Sequence, residues 1–235
     1  MTGSVYFISG IDTGIGKTYT TGYLAKLWNE QGQKTITQKL VQTGNVDVSE
    51  DIEQHRKIMG MGWFPEDDSK LTMPEIFSYP ASPHLATKID GREIDFAKIE
   101  RATQQLAEKY EVVLLEGAGG LMVPLTTDLL SIDYIATKQL PVILVSSGRL
   151  GSINHTILSL EALKNRGLEL YALAYNLNDE SQDELISKDT ATYLKAYLAA
   201  HFPQALWMDI PVLKSSIESL KKKKTANSKS CQRFF

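Results

Sequence analysis

The chain has 235 residues, 43% hydrophobic and 23% charged, which suits an ordinary globular protein and one α/β domain with a large core. The formal net charge is −3, yet residues 214–235 hold seven Lys or Arg against one Glu, so the rest is acidic and is not expected to bind nucleic acid. Cys231 is the only cysteine, which excludes an intramolecular disulfide and a cysteine-based metal site; with no leader-like start and no apolar run of about 20 residues, we expect a cytoplasmic protein without a membrane span.

A glycine-rich segment near the start of the chain, Gly10–Thr18, reads Gly-Ile-Asp-Thr-Gly-Ile-Gly-Lys-Thr. It follows an apolar, strand-like run, Val5–Ser9, and leads into a helical pattern that begins at Lys17. This order predicts a phosphate-binding loop, because the backbone N–H groups of the turn and the helix N-terminus attract the same anion. Lys17 would reach the β- and γ-phosphates, and the Thr18 hydroxyl would face Mg²⁺. The strict Gly-x4-Gly-Lys-[Ser/Thr] pattern requires glycine at position 11, so Ile11 marks a variant of the motif.

The second predicted strand, Thr35–Lys39, leads to two polar side chains, Lys39 and Thr43, at its carboxyl end. Ligands in open α/β sheets bind at that edge, although a solvated lysine and a turn threonine fit the pattern as well. Residues 45–60 begin acidic and then look helical. Any of four early acids could be a helix-N-terminal residue stabilised by the helix dipole, and spacing does not choose among Asp47, Glu50, Asp51 and Glu53.

Residues 60–91 contain four prolines and little periodicity, which predicts a long, shaped connection. Such connections in compact domains are usually functional or disordered. This one carries His84, which could be a catalytic base, although a hydrogen-bonding or capping histidine is the favoured interpretation. His55 and His201 stand in exposed-looking helical patterns, and neither has a partner at metal-ligand spacing.

A second glycine-rich segment follows an apolar strand in the middle of the chain. After a predicted helix over residues 95–110, the continuous apolar run Val112–Leu115 predicts a strand buried on both faces of a parallel sheet. It leads directly into Glu116-Gly117-Ala118-Gly119-Gly120. A carboxylate at the carboxyl end of a central strand could coordinate Mg²⁺ beside a phosphate-loop nucleotide, and the glycines would let the backbone approach a ligand closely.

The remaining sequence continues to alternate helices with buried-type strands, which predicts an α/β fold with a mostly parallel sheet and helices on both faces. The predicted elements are Ser131–Gln139 (helix), Val142–Val145 (strand), about Ser152–Arg166 (helix), Leu168–Tyr175 (strand) and about Ser181–His201 (helix). The helix start near Ser152 and Asn154 could be a second anion site or an ordinary capped helix. We expect one domain over residues 1–213 and a basic, disordered tail over residues 214–235.

The motifs occur in the order seen in dethiobiotin synthetases, and the chain from residue 4 to about residue 213 resembles that family. The matching segments are the glycine-rich loop, residues 39–44, Ser82-Pro83-His84, Glu116–Gly120, Leu150–His155 and Asp209-Ile210-Pro211. The resemblance implies a three-layer P-loop NTPase fold and an ATP- and Mg²⁺-dependent cyclo-ligase of biotin biosynthesis. Such an enzyme converts 7,8-diaminononanoate, CO₂ (or bicarbonate) and ATP into dethiobiotin, through a carbamate and a carbamic-phosphoric anhydride.

The resemblance also implies roles for individual residues and a homodimer with its active site at the interface. The catalytic groups would be Lys39, Lys17 and Thr13, and the metal-facing groups Thr18, Asp51 and Glu116. The nucleotide-binding set would be Gly14, Ile15, Gly16, Lys17, Thr18, Tyr19, Asp51, Glu116, Gly117, Ala118, Gly119, Asn176, Ile210, Pro211 and Val212. The substrate-binding set would be Thr13, Lys39 and Thr43, completed from the other subunit by Leu150, Gly151, Ser152, Ile153 and Asn154.

The sequence departs from the family pattern at Leu40, Thr43 and Glu50, where the family has proline, serine and a small residue. The alternative function is a deviant P-loop switch ATPase of the partitioning and cell-division positioning class, which shares the fold and the loop. That class would use a basic tail for a membrane or a partner. It usually carries a lysine early in the loop, where this chain has Ile11 and Asp12.

Overall fold

The computed structural model describes residues 2–178 and 183–212 and contains two parallel sheets. The larger sheet has the strand order β2-β5-β1-β6-β7-β8, and the smaller pairs β3 with β4. The strands are β1 (Ser4–Gly10), β2 (Thr35–Lys39), β3 (Gln42–Thr43), β4 (Ile76–Phe77), β5 (Val112–Gly120), β6 (Val142–Ser147), β7 (Leu170–Asn176) and β8 (Leu206–Ile210). Every neighbouring pair is parallel, so the six carboxyl ends of the larger sheet share one edge.

Helices cover both faces of the larger sheet, which confirms the three-layer α/β architecture. The helices are α1 (Lys17–Glu30), α2 (Glu50–Met59), α3 (Pro65–Asp68), α4 (Pro83–Asp90), α5 (Phe96–Lys109), α6 (Ser131–Lys138), α7 (Ser152–Asn165) and α8 (Glu184–His201). Helix α1 lies on one face with α2 beside it, α5 to α8 lie on the other, and α4 packs on the small sheet. Among the described helices, none is both long and apolar enough to cross a membrane.

Two hydrophobic cores lie on opposite faces of the sheet because successive side chains of a strand point to opposite sides. Phe7 and Leu115 belong to the core under α5 to α8, whereas Ile8 and Leu114 belong to the core under α1. All four are at most 1% exposed. The continuous apolar runs in the central strands therefore reflect a sheet that is covered on both sides.

Most predicted elements are confirmed within a few residues, but two regions differ. The expected long, shaped connection over residues 60–91 contains three regular elements that its weak periodicity did not predict, α3, β4 and α4. Gly60 and Gly91 end α2 and α4 in the left-handed conformation. Strand β8 was not predicted, since its sequence, Leu206–Ile210, is short and half-exposed. The expected helix start at Ser181 and the expected tail over residues 214–235 lie outside the described residues.

Candidate active site

The phosphate-binding loop connects β1 to α1, and glycines in the left-handed region set its shape. Gly14 and Gly16 have φ angles of 70° and 101°, which residues with a side chain rarely adopt. A Cβ atom on Gly16 would lie only 2.2 Å from Nδ2 of Asn176. That amide donates a 3.0 Å hydrogen bond to the carbonyl oxygen of Ile15. The end of β7 therefore holds the loop, and position 16 has room for glycine only.

Lys17 begins α1 directly after this loop. Helix α1 has no side-chain cap, so the N–H groups of its first turn point at the loop without a capping side chain. The Lys17 side chain is buried, and its Nζ lies 3.5 Å from the carbonyl oxygen of Asp12. Burial lowers the pKa of Lys17; the Glu116 carboxylate opposes this shift, and the Lys39 ammonium adds to it. The loop is thus followed by a helix end that attracts anions and by Lys17, whose charged form is made less favourable by burial.

Side chains from four separate elements meet beside the loop. The Thr18 hydroxyl lies 2.7 Å from Oδ1 of Asp51 and 3.2 Å from Oε1 of Glu116. Nζ of Lys39 lies 2.9 Å from the same Glu116 oxygen, donates to the Gly117 carbonyl at 3.3 Å, and forms an ion pair with Asp51. One hydroxyl and one ammonium group therefore contact both carboxylates.

The carboxylates and the ammonium group of this cluster stabilise one another's charges. Burial opposes ionisation of Glu116, but the Lys39 ammonium and the hydrogen bond from His55 outweigh it and hold the Glu116 pKa far below its usual range. Burial also opposes the charge on Lys39, but Glu116 and then Asp51 raise the Lys39 pKa above its ordinary value. Glu116 and Lys39 are therefore both charged at neutral pH.

Strand register and a helix cap position these side chains. Lys39 ends β2 and stands opposite Glu116 in β5, whose partner on the other side is Ile8 of β1. Asp51 lies in the first turn of α2, where the Ser49 side chain caps the helix by accepting a 3.2 Å hydrogen bond from the backbone N–H of Ile52. The pairing of β2 with β5 and the capped start of α2 thus fix the backbone positions of Lys39, Glu116 and Asp51.

A glycine in α1 allows α2 to come close. A Cβ atom on Gly22 would lie 3.0 Å from Cβ of Ile58 and 3.2 Å from Cα of His55. Because helix separation depends on the side chains at the contact, a residue without one lets α2 approach α1 closely. This contact brings the face of α2 that carries Asp51 and His55 to the sheet.

The expectation that His55 occupies an exposed helical position is wrong. His55 is fully buried, with Nε2 2.9 Å from Oε2 of Glu116 and Nδ1 3.0 Å from Oγ1 of Thr37. Arg56 donates to the same threonine oxygen at 2.9 Å and forms a two-pronged pair with Asp67 at 2.7 and 2.8 Å. The inner face of α2 meets polar residues of β2, so the polar sequence of α2 carried no signal of burial.

On its other side, the phosphate loop lines a cleft of about 530 Å³ that extends to α7. Thr13 is exposed and lines the cleft together with Leu158 of α7. Beyond Glu116, residues Gly117–Gly119 continue β5 towards this cleft. Gly119 has a φ angle of 62°, and a Cβ atom there would lie 3.5 Å from Oγ1 of Thr13. Thr13 and the glycine segment are therefore neighbours.

The start of α7 carries the substrate residues that the family resemblance predicts. Gly151 caps α7 with a φ angle of 93° and no side-chain hydrogen bond. The Ser152 hydroxyl is buried and has no hydrogen-bond partner among the described residues. Leu150 is 84% exposed, Asn154 is exposed, and Ile153 is partly buried. Leu150 and Asn154 thus lie at a surface, whereas Ser152 faces the interior.

The residues predicted to frame the base gather at the ends of β7 and β8. Asn176 and Ile210 are register partners at the ends of these strands, and both are buried. The Tyr19 hydroxyl donates a 2.8 Å hydrogen bond to the carbonyl oxygen of Pro211, with Val212 next in the chain. A hollow of about 320 Å³ nearby is lined by residues 16–19, Gly14, Gln54 and Ile58. These residues share the edge of the sheet that carries the loop.

Two further predicted positions lie around the small sheet. Thr43 lies in β3 and pairs with Phe77 of β4, so it is held beyond the end of β2. His84 lies in α4, with Nδ1 3.0 Å from the Ser82 hydroxyl. The hydrogen-bonding interpretation of His84 is confirmed.

Similarity to known proteins identifies the family. A family model described as "AAA domain" matches residues 4–220. The chain is 49% identical over 203 residues to "ATP-dependent dethiobiotin synthetase BioD 2" of Pasteurella multocida, covering 86% of this chain and 95% of that protein. It is 51% identical over 211 residues to "ATP-dependent dethiobiotin synthetase BioD" of Chlorobaculum tepidum, covering 89% and 88%. The chain belongs to the dethiobiotin synthetase family.

A further dethiobiotin synthetase, BioD 2 of Haemophilus influenzae, is 51% identical over 189 residues, covering 80% of this chain and 99% of that protein. The switch-ATPase alternative is therefore not favoured. The signal recognition particle receptor FtsY of Elizabethkingia anophelis, solved in complex with GDP, has a TM-score of 0.51 at 18% identity, covering 88% of this chain and 56% of that chain. That likeness shows the fold alone.

Three features of the site were not predicted. His55 joins α2 to Glu116, Gly22 lets α2 pack closely on α1, and Arg149 pairs with Asp12 of the loop at 2.7 Å. A glycine inside a helical pattern was the available signal for Gly22, because glycine is unfavourable there without a packing reason. No sequence spacing predicts the contact between Arg149 and Asp12, because this contact forms only where the ends of two neighbouring strands meet.

Proposed function

We propose that this protein catalyses the ATP-dependent conversion of 7,8-diaminononanoate and CO₂ into dethiobiotin, in biotin synthesis. The relatives named ATP-dependent dethiobiotin synthetase support the reaction, and one geometric observation supports the mechanism. Lys39, Thr18 and Glu116 meet within 3.2 Å beside the phosphate loop. We also propose that residues 1–213 form the single catalytic domain and that the protein is cytoplasmic.

ATP would bind along the carboxyl edge of the sheet. Its phosphates would lie in the loop residues 14–19, where the uncapped α1 N-terminus and Lys17 attract negative charge. Its base would lie near Asn176 and residues 210–212, and Tyr19 would support that segment through its hydrogen bond to Pro211. The residue 117–119 segment would approach the phosphates without side-chain obstruction at its glycines.

The donor set at the cluster fits Mg²⁺. Thr18, Asp51 and Glu116 offer hydroxyl and carboxylate oxygens that lie within hydrogen-bond distance of one another through Thr18. Mg²⁺ prefers such oxygens and usually keeps phosphate oxygens and waters as its other ligands. No cluster of three His, Cys, Asp or Glu side chains converges in the described part of the chain, which fits an ion shared with a nucleotide. When bound, the ion would neutralise charge on the β- and γ-phosphates.

Lys39 and Lys17 would prepare the diamine for the first step. An alkylamine has a pKa of about 10, so most of it is protonated and unreactive at neutral pH. Two nearby ammonium groups disfavour a third positive charge and stabilise an anion, so they favour the neutral amine and the carbamate that it forms with CO₂. The lysine pair would thus serve both the nucleophile and its product.

The carbamate oxygen would then attack the γ-phosphorus and displace ADP. Lys39 and Lys17 would neutralise the charge on the transferring phosphoryl group, which is the main contribution of a protein to this chemistry. The second amine would attack the activated carbonyl, close the urea ring and expel phosphate, aided by proximity. Thr13, Thr43 and the residue 117–119 segment would hold the diamine and its carbamate.

The active site would be completed by a second copy of the chain. Leu150 is exposed, the Ser152 hydroxyl has no partner within the described residues, and the open cleft beside Thr13 is walled by α7. The start of α7, which has no side-chain cap hydrogen bond, attracts anions. We propose a homodimer in which the helix start over residues 150–154 of one subunit binds the substrate carboxylate in the active site of the other.

Phosphate release tests this proposal. The purified protein should release phosphate from ATP only when both 7,8-diaminononanoate and bicarbonate are present, and mass spectrometry should detect dethiobiotin in matching amounts. Omitting either co-substrate gives the control for background hydrolysis. ATP hydrolysis that ignores the diamine would contradict the proposed reaction and favour a switch ATPase.

A further inference from the structure

We propose that His55 is a positioning residue for Glu116, which holds one carboxylate oxygen in the protein interior so that the other faces the nucleotide site. The inference rests on the proposed metal-facing role of Glu116. It concerns a residue that the sequence pattern had placed at the surface and that the proposed reaction does not use. Its basis is a chain of buried hydrogen bonds that runs from Arg56 to Glu116.

The two oxygens of Glu116 have different partners. Oε1 lies 2.9 Å from Nζ of Lys39 and 3.2 Å from the Thr18 hydroxyl, on the nucleotide side. Oε2 lies 2.9 Å from Nε2 of His55, which is the group that contacts it within the described residues. Glu116 and His55 are both fully buried, so water does not replace a lost partner at low cost.

The direction of each hydrogen bond follows from what each group can donate. The Arg56 guanidinium only donates, so Oγ1 of Thr37 accepts its 2.9 Å hydrogen bond. In the His55 tautomer that carries its proton on Nε2, that nitrogen donates to the Glu116 carboxylate, and Nδ1 accepts the proton of the Thr37 hydroxyl, 3.0 Å away. The donors run one way, from Arg56 through Thr37 and His55 to Glu116.

The Arg56 end of this series of hydrogen bonds is also held in place. Asp67 accepts two hydrogen bonds from Arg56 and a third, at 2.7 Å, from the Thr72 hydroxyl. The imidazole ring is therefore fixed at both nitrogens and cannot turn without breaking a buried hydrogen bond. A fixed ring in turn fixes the carboxylate torsion of Glu116, which is otherwise broad for this side chain.

The proposed role makes a chemical prediction that mere packing does not. Partners behind metal ligands typically affect metal affinity or activity by about 10- to 100-fold. If His55 orients Glu116, its loss should weaken the Mg²⁺-dependent part of nucleotide binding and leave the Mg²⁺-independent part unchanged. If His55 only fills space, its loss should change thermal stability alone.

Two variants separate the two nitrogens of the ring. In His55→Gln the amide nitrogen can occupy the place of Nε2 and still donate to Glu116, whereas in His55→Asn the shorter amide can replace only Nδ1. The readout is calorimetric affinity for a non-hydrolysable ATP analogue, with Mg²⁺ and with EDTA, below the melting temperature of each variant. We expect His55→Gln to keep the Mg²⁺ enhancement to within about 3-fold and His55→Asn to lose about 10- to 100-fold of it.

Equal Mg²⁺ enhancement in wild type and both variants would overturn the positioning role, as would equal loss in both variants. If His55→Asn does not fold, Thr37→Val should produce a smaller loss in the same direction, and an unchanged enhancement would overturn the role. Glu116→Gln is the reference variant. If Glu116→Gln removes the Mg²⁺ enhancement and His55→Asn does not, the positioning role of His55 alone is wrong. If Glu116→Gln keeps the enhancement, the metal role of Glu116 is wrong, and the positioning role of His55 is wrong with it.

Discussion

Lys39 and Glu116 are 77 positions apart in the chain, yet they face each other across β2 and β5 with Nζ 2.9 Å from Oε1. Both side chains are almost fully buried. A buried ion pair is weak evidence for stability, because desolvation of two charges offsets much of their attraction. Its position beside the phosphate loop is therefore better explained by the charge that the proposed reaction places there.

Lys39→Ala and Lys17→Ala should separate binding from chemistry. We expect Lys39→Ala to lower turnover by about 100-fold or more while ATP affinity changes little, because its charge acts on the transferring phosphoryl group. Lys17→Ala should weaken both, since Lys17 begins α1 directly after the phosphate loop. Nucleotide titration and steady-state rates measure the two effects. Equal losses of ATP affinity would contradict this division of roles.

The proposed dimer predicts complementation between two defective variants. Asn154→Ala should raise the Michaelis constant for the diamine and leave ATP binding nearly unchanged, because the start of α7 would contact only the substrate carboxylate. Mixing it with Lys39→Ala should restore activity, since one of the two clefts of each heterodimer has both residues intact. Measured after subunit exchange and at low diamine concentration, a mixture with no recovery would show that each site is built within one chain.

Gly22→Ala should separate α2 from α1. Alanine gains about 1 kcal/mol of helix propensity over glycine, but the added Cβ atom meets Ile58 and His55 at 3.0 and 3.2 Å, and overpacking costs about 1–3 kcal/mol. We expect a net loss of stability of up to about 2 kcal/mol and weaker Mg²⁺–nucleotide binding, because Asp51 lies on the displaced helix. Gly62→Ala is the matched control, since nothing lies within 4 Å of its Cβ position. A more stable Gly22→Ala variant with wild-type binding would disprove this packing argument.

The buried pair of Arg56 and Asp67 should make stability depend on pH. Burial raises the Asp67 pKa, but the hydrogen bonds and charge of Arg56 outweigh it and lower the pKa below its ordinary value. A carboxyl group with a lowered folded pKa stabilises the fold above its unfolded pKa, about 3.9, and loses that contribution as the pH falls through the folded pKa.

Asp67→Asn should therefore reduce the free energy of unfolding by about 3–5 kcal/mol at pH 7, and its difference from wild type should shrink below about pH 4. Urea unfolding across this pH range measures the effect. Asp68→Asn is the control, because Asp68 is an exposed neighbour in the same helix. A difference that stays constant down to pH 2 would show that the Asp67 charge is not responsible.

The parts of the site that were predictable are those that follow strands. Lys17, Lys39 and Glu116 could be placed at one sheet edge because parallel strands align their carboxyl ends, and apolar runs locate those strands. The choice of Asp51 among four early acids came from the family resemblance alone. His55 was placed incorrectly, because its burial depends on polar side chains of β2, and hydrophobic periodicity does not detect a polar helix face packed on a polar strand.

The strand order has a consequence for synthesis of the chain. Strand β1, which carries the phosphate loop, pairs with β5 and β6, and β5 follows it by about a hundred residues. At about 5–20 residues per second, a ribosome needs several seconds or more to supply that partner. During this interval the apolar β1 has neither neighbour, and contacts between distant residues form slowly. The nucleotide pocket therefore cannot form before β5 has been synthesised, and until then β1 lacks both of the strands that flank it in the folded sheet.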